Sequence, residues 1–293
     1  MDYLVPSDLA AAVAMKAGGL LVLAGGTDVY PAHVGRPLEP IVDISGLSEL
    51  RGIDETDEGY RIGALTRWAD LAAVSLPSGF DGLRAAAREV GSVQVQAAGT
   101  IGGNLCNASP AADGVPPLLT LDASVELTST KGTRELALGE FLTGYRATAL
   151  EPDELLTAVL VPREAAEARA AFSKLGLRRY LVISIVMVAT SIGVGEGGRI
   201  DRARVAVGAC SPVARRLTEL ESSLVGLSAD ENLGALAQPE HLSALAPIDD
   251  VRASADYRRD ATLTLVRRIL AELAGNPRPT GAPSPRSDPT ANR

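Results

Sequence analysis

Apolar positions along this chain follow two spacings, and the mixture changes near residue 170. Over the first 50 residues, short apolar runs alternate with a helical repeat. Ser7 stands as the N-cap of a helix predicted over 8–16, which Gly18-Gly19 stops. Residues 20–24 read as a strand that runs directly into Gly25-Gly26-Thr27-Asp28, and 40–44 read as a second strand. Helix and strand alternating in this way predict a small parallel α/β unit. Residues 59–63 follow as a strand, and Thr66 caps a helix whose Trp68 and Leu71 face the core. A helix over 83–90 ends at Gly91. Residues 116–121 form a short helix with proline near its start. Residues 123–128 and 133–136 alternate as a hairpin around Lys131-Gly132, and 155–161 form a strand closed by Pro162.

Beyond residue 170 the pattern is three long alternating strands, 170–177, 183–193 and 199–209, followed by helices over 214–224, 229–237 and 254–274. Strands followed by helices predict a separate α+β domain with a three-stranded antiparallel sheet. Five prolines without apolar periodicity fall in the last 18 residues, so 276–293 read as a disordered tail. Gly193-Val194-Gly195-Glu196-Gly197-Gly198 matches the G-x-G-x-x-G dinucleotide fingerprint in form only. A strand rather than a helix follows it, which makes it a hairpin turn.

One stretch fits neither periodicity. Gly99–Asp113 has three glycines in five residues, then small polar residues, then one acid, and almost nothing in it can fill a core. Glycines let backbone approach a ligand, and exposed N–H groups in such a loop cradle phosphate oxygens. Thr100, Asn104, Asn107 and Ser109 add neutral hydrogen-bonding groups. The stretch reads either as a nucleotide cradle or as a glycine-rich surface loop.

Composition narrows the chemistry. The chain has 293 residues, 46% hydrophobic and 22% charged, enough for two domains of ordinary size. Its net charge of −8 argues against general nucleic-acid binding, and no apolar run is long enough to span a bilayer. The N-terminus lacks the basic start and apolar core of a signal peptide, so a cytoplasmic protein is expected. Two cysteines, Cys106 and Cys210, and two histidines, His33 and His241, form neither a disulfide framework nor a metal site. Cys106 and Cys210 read as small packing residues and the histidines as solvated. The Arg258-Arg259 and Arg267-Arg268 pairs read as the wet face of the last helix. A chain this poor in nucleophiles and metal ligands takes its chemistry from a cofactor, and no side chain is assigned as a catalytic acid or base.

Ala24-Gly25-Gly26-Thr27-Asp28 together with Thr100-Ile101-Gly102-Gly103-Asn104, Ala108-Ser109-Pro110 and Asp113 form a specific pair of motifs. The pair resembles the FAD-binding subunit, or medium chain, of the molybdenum hydroxylases. That family includes xanthine dehydrogenase, aerobic carbon monoxide dehydrogenase and aldehyde and N-heterocycle hydroxylases. The resemblance extends over Ile62-Gly63-Ala64-Leu65-Thr66, Glu154-Leu155-Leu156, Phe172-Ser173-Lys174, Arg178-Arg179 and 250–258. It implies an FAD domain of the vanillyl-alcohol-oxidase (PCMH) type over 1–169, with two subdomains at about 1–55 and 56–169. A C-terminal domain of the CO dehydrogenase flavoprotein type follows over 170–275.

Position by position, the resemblance assigns Ala24, Gly25, Gly26, Thr27 and Asp28 to the FAD diphosphate and Thr100, Gly103, Asn104 and Asn107 to a second clamp. It matches Asp113 to an acid on the adenosine ribose, and Leu156 and Lys174 to positions near the flavin or its phosphates. Tyr180-Leu181-Val182 stands where many relatives carry a more polar stretch, near the flavin ring. The implied complex is a heterotrimer, with [2Fe–2S] clusters on a small subunit and the molybdopterin cofactor on a large one. In it, FAD passes electrons to NAD or another acceptor, and the substrate is chosen on the large subunit. Two other readings fit the same residues. A stand-alone flavin oxidase or reductase would turn over an organic substrate without partners, and a non-enzymatic nucleotide-binding module would show no flavin spectrum.

Overall fold

The computed structural model describes residues 3–36, 39–229 and 232–274. The opening segment is the expected parallel unit. Strands β1 (Tyr3–Leu4), β2 (Leu21–Leu23) and β3 (Ile41–Asp43) pair in the order β1–β3–β2, connected by helices α1 (Leu9–Ala17) and α2 (Val29–Ala32). The cap of α1 differs from expectation. Asp8, not Ser7, accepts the Ala11 amide at 2.8 Å, and Ser7 Oγ donates to Asp8. A carboxylate at this end also meets the positive end of the helix dipole, so it displaces the hydroxyl.

The second unit is an antiparallel sheet of five strands. Strands β4 (Ile53–Glu55) and β5 (Gly59–Gly63) lead into helices α3 (Trp68–Ala73), α4 (Asp81–Glu89), α5 (Val93–Ala98), α6 (Ile101–Asn107) and α7 (Val115–Thr120). The hairpin β6 (Ser124–Ser129) and β7 (Gly132–Ala137) follows, then α8 (Leu138–Phe141) and the small hairpin β8 (Leu142–Gly144) and β9 (Ala147–Thr148). Strand β10 (Leu155–Pro162) returns to the centre of the sheet, in the order β4–β5–β10–β6–β7, and α9 (Arg163–Ala166) closes the unit. Ile62, Val125 and Val159 of the sheet share one buried cluster with Trp68, Leu83, Ile101, Leu105 and Leu118 of the helices. Each such side chain contributes about 1.5–3 kcal/mol by burial. Thr66 does not cap α3. Its hydroxyl instead bridges the amide and carbonyl of Gly52 at 3.0 and 2.9 Å, and Arg67 takes the cap position with Asp70.

The third unit carries the three expected strands, β11 (Arg169–Leu175), β12 (Val186–Val194) and β13 (Ile200–Gly208), all antiparallel. A fourth strand, β14 (Arg215–Arg216), pairs with Ala206 and Val207 of β13, so the sheet has four strands rather than three. Two residues have no periodicity to read. For the same reason α10 (Thr218–Leu224) begins later than expected. The helix expected over 229–237 reduces to a 3-10 turn, Leu233–Leu236, and 230–231 lie outside the described residues, as does the expected tail over 276–293. Gly197 and Gly198, both at φ +72°, turn the chain between β12 and β13, which rules out the helix a dinucleotide fingerprint needs.

The long α11 (Ala255–Ala274) and α10 cover one face of this sheet, while α7 packs against β12 and β13. Sandwiched in this way, β12 is buried almost throughout, including its Thr190 and Ser191. Asp122, in left-handed backbone after α7, accepts from Arg204 at 2.9 Å and Arg216 at 2.7 Å and so ties the second unit to the third.

The last helix corrects the reading of its arginines. Arg259 is exposed, but Arg258 is 3% exposed and points inward. It donates to the carbonyls of Ile185 at 2.6 Å and Ala209 at 3.2 Å and pairs with Asp250 at 2.8 Å. Arg267 donates through Nε to the Ala237 carbonyl at 2.9 Å. Burial works against the Asp250 charge, but the amides of Arg252 and Ala253 and the guanidinium groups of Arg258 and Arg252 outweigh it and hold the carboxyl at about 2. A depressed carboxyl contributes stability that is complete above about pH 4, its unfolded range, and is lost as pH falls toward 2. Arg258→Met, which leaves buried acceptors unpaired, is expected to cost about 3–5 kcal/mol. It should also reduce, without abolishing, the part of acid unfolding that centres between those limits, because the amides of Arg252 and Ala253 still hold the carboxylate. Chemical denaturation of both proteins across pH 2–6 measures this.

Candidate functional site

The site begins where β2 ends. At the edge of a parallel sheet the last backbone groups lose their neighbours, and here the chain turns through Ala24-Gly25-Gly26-Thr27-Asp28. Gly25 lies against the Ala98 carbonyl, where a Cβ would stand 2.1 Å from the oxygen. Gly26 takes φ +70°, with the Tyr30 ring 2.6 Å from where its Cβ would be. Among the described residues, the amides of Gly25, Gly26, Thr27 and Asp28 donate to no backbone carbonyl. Four successive free donors carry partial positive charge without any cationic side chain.

The second glycine stretch is not a loop throughout. Its centre is helix α6, capped by Thr100, whose Oγ1 accepts the Gly103 amide at 3.1 Å. Glycine is a poor helix former, but Gly102 is held by packing, since its Cβ would lie 2.7 Å from that of Ala64. Ala108, in left-handed backbone at φ +45°, ends the helix. Asn107 at its last turn donates from Nδ2 to Asp28 Oδ1 at 2.9 Å, which joins the two stretches directly.

Between them lies a cleft of about 410 Å³, walled on its far side by Leu155 and Leu156 of β10. The pairing of β10 with β6 shifts register between Leu156 and Ala158, a bulge at the edge of the cleft. Ten of the twelve expected site residues line it: Ala24, Gly25, Gly26, Thr27, Asp28, Thr100, Gly103, Asn104, Asn107 and Leu156. Trp68, 1% exposed, backs the wall, and Cys106 faces the cleft.

Asp113 and Lys174 are not among the lining residues. The structure pairs them with each other instead. Lys174 Nζ lies 2.6 Å from Asp113 and 3.2 Å from the Glu89 carbonyl, and Ser184 donates to Asp113 at 2.7 Å. Burial pushes the Asp113 carboxyl up, against the pull of Lys174 and Ser184. Two charges this deeply buried stay together because separating them leaves one unpaired. Tyr180 is 60% exposed beneath the Arg179 guanidinium, 5.3 Å from its ring centre.

Three charged side chains line the cleft, Lys16, Asp28 and Glu154. Glu154 is occupied by Arg134 at 2.6 and 2.9 Å, which holds its carboxyl below the usual range despite partial burial. Asp28 is occupied by Asn107. Lys16, in the last turn of α1, has no ion pair among the described residues. It went unnoticed in the sequence because a basic residue at a helix end is ordinary. Asn104 Oδ1 is buried at the cleft without a hydrogen-bond partner.

Residues 1–164 match the family model described as the FAD binding domain in molybdopterin dehydrogenase, and 170–273 match that of the CO dehydrogenase flavoprotein C-terminal domain. This chain belongs to the FAD-binding, or medium, subunits of the molybdenum hydroxylases. It is 32% identical to the 6-hydroxypseudooxynicotine dehydrogenase complex subunit alpha of Paenarthrobacter nicotinovorans, over 95% of this chain and 96% of that one. With the nicotinate dehydrogenase FAD-subunit of Eubacterium barkeri it shares 31% identity over 86% of this chain and 87% of that one. Among solved structures, the reconstituted CO dehydrogenase from Oligotropha carboxidovorans superposes with a TM-score of 0.84 at 28% identity, covering 94% of this chain and 98% of that one.

FAD is accordingly the cofactor of this medium subunit, and the chain is part of an oxidoreductase. The cleft fits the group: it offers free amides to phosphate oxygens, an orphaned Asn104 acceptor to a hydroxyl or ring N–H, and leucines to an apolar ring. Gly25→Ala drives a methyl into the Ala98 carbonyl and is expected to lose most of the bound flavin, as is Gly103→Val, whose Cβ would stand 2.9 Å from Thr100 Oγ1, the group that caps α6. Gly46→Ala, with open space around it, should keep a full complement. Flavin absorbance per purified chain measures all three.

Proposed function

We propose that the chain is the electron-exit subunit of a heterotrimeric molybdenum hydroxylase. It takes electrons from [2Fe–2S] clusters on a small partner, itself served by a large molybdopterin subunit, and passes them from FAD to NAD or another acceptor. The observation that carries this reading is the cleft itself, where both glycine motifs of the family line one space of about 410 Å³. FAD, when bound, accepts electrons singly and releases them as a pair. The residues of the chain hold and orient it.

In this reading the amides of Gly25 to Asp28 hold the diphosphate. Thr100, Gly103, Asn104 and Asn107 form the opposing clamp, and Leu156 packs on the cofactor. Asp113 and Lys174 act from behind the wall: their ion pair anchors the segment after α6 to β11. The FAD domain ends near residue 169, with its two subdomains meeting near residue 55 in the PCMH manner. No helix among the described residues is long and apolar enough to cross a membrane.

Two experiments test the proposal. In the purified complex, substrate added anaerobically should bleach the flavin absorbance only when all three subunits are present. The isolated chain should hold FAD yet leave it oxidised. Turnover of an organic substrate by the isolated chain would overturn the reading in favour of a stand-alone oxidase.

Lys16 supplies the one unpaired cation of the cleft among the described residues to a cofactor with two phosphates. A charge-assisted hydrogen bond is worth about 1.5–3 kcal/mol, so Lys16→Gln is expected to weaken FAD binding by roughly tenfold to a hundredfold. Titration at two salt concentrations should also show a reduced salt dependence.

A further inference from the structure

Outside the two glycine stretches, one side chain reaches into their junction. The turn of the β8–β9 hairpin places Arg146 at φ +50°, a backbone region unusual for a side chain of this size. Its amide donates to the Ala108 carbonyl at 3.1 Å, and its Nη1 donates to Asn107 Oδ1 at 2.7 Å. Ala108 is itself left-handed, so the end of α6 and the tip of the hairpin are both specially shaped where they meet. Among the described residues Arg146 has no carboxylate partner; the Asn107 carboxamide receives its guanidinium.

The chemistry of the amide gives this contact a direction. A carboxamide accepts at one end and donates at the other, whereas a guanidinium only donates. Arg146 therefore fixes Oδ1 toward the hairpin and Nδ2 toward the cleft, where it donates to Asp28 Oδ1 at 2.9 Å. Asp28 is the one acid in the turn Ala24–Asp28, whose residues with free amides line the cleft. Left alone, its carboxylate would repel a diphosphate and compete with it for those amides.

We propose that Arg146 is a positioning residue for the dinucleotide: through Asn107 it holds the Asp28 carboxylate in a hydrogen bond, so that it does not compete with the diphosphate for the amides of the turn. The inference rests on the FAD reading above. No direct contact of Arg146 with the cofactor is required, which separates its role from that of Lys16.

The test is a double-mutant cycle on the full chain, stripped of flavin and titrated with FAD and with riboflavin, which lacks the diphosphate. Arg146→Met and Asn107→Ala should each weaken FAD about tenfold, and the double variant should be no weaker than Asn107→Ala alone. Riboflavin affinity should not change. Arg146→Lys, which keeps a donor, should recover most of the FAD affinity, while Arg146→Glu, which offers Asn107 only an acceptor, should lose more than Arg146→Met. Additive losses, an equal loss of riboflavin, or wild-type affinity in Arg146→Met would each overturn the proposal. Should Arg146→Met fail to fold, the Lys and Glu variants decide by their order. Failure of the wild-type chain to bind FAD would instead remove the functional reading beneath it.

Discussion

The contact on which this molecule depends is between a glycine and a carbonyl. Gly25 rests on the Ala98 oxygen so closely that no side chain fits between them. That approach brings the end of a parallel strand alongside the start of α6, with Thr27 beside Gly99 and Asp28 at Asn107. The first sheet is small and has no core large enough to stand alone. It gains its place by docking on the second unit, where Leu65 and Leu155 join its buried cluster. The cleft is the space that this docking leaves open, so holding the cofactor and assembling the domain are one steric problem.

A second layer of constraint runs behind the cleft wall. Asp113 follows α6 and precedes Gly114, whose missing side chain leaves room for the Trp68 ring. Its carboxylate receives Lys174 from β11 and Ser184 from the segment before β12. The next residue, Ile185, gives its carbonyl to Arg258 on the last helix, which is held in turn by Asp250. A continuous polar chain thus runs from α11 to the turn behind the cleft. Each member is buried or nearly so, and each would leave a charge or carbonyl unpaired if removed, so the C-terminal domain supports the wall it does not line.

Much of this was legible in the sequence, for reasons that differ by residue. The glycine stretches stood out because nothing else explains so many small residues between apolar runs, and ten of the twelve residues that the family resemblance assigned line one cleft. The strands beyond residue 170 were legible because β-branched residues recur along β12 and β13, as strands prefer. Helix α6 was hidden by the glycines it contains, since packing on Ala64 rather than propensity holds it. Arg258 was misread because an arginine on a helix reads as solvated unless its partners are known, and those partners lie 8, 49 and 73 positions away. Lys16 and Arg146 carry no signal of a site in the sequence; only the fold brings Lys16 to the cleft and Arg146 to Asn107.

The charge arrangement of the cleft then becomes intelligible. A site crowded with lysines would hold two phosphates strongly, but each cation would need desolvating and would bias the potential of any redox group beside it. Oriented amides avoid both costs because their partial charges are fixed and already paid for by the fold. That economy carries a condition: every full charge at the wall must be balanced locally. Glu154 is balanced by Arg134, and the Asp28 carboxylate is held in a hydrogen bond by an asparagine that Arg146 orients. Among the charged groups of the described residues, only Lys16 remains without a partner at the cleft, and it has the sign the cofactor needs. The glycine motifs therefore shape the cradle, while residues outside them, on α1 and on the β8–β9 hairpin, set its charge.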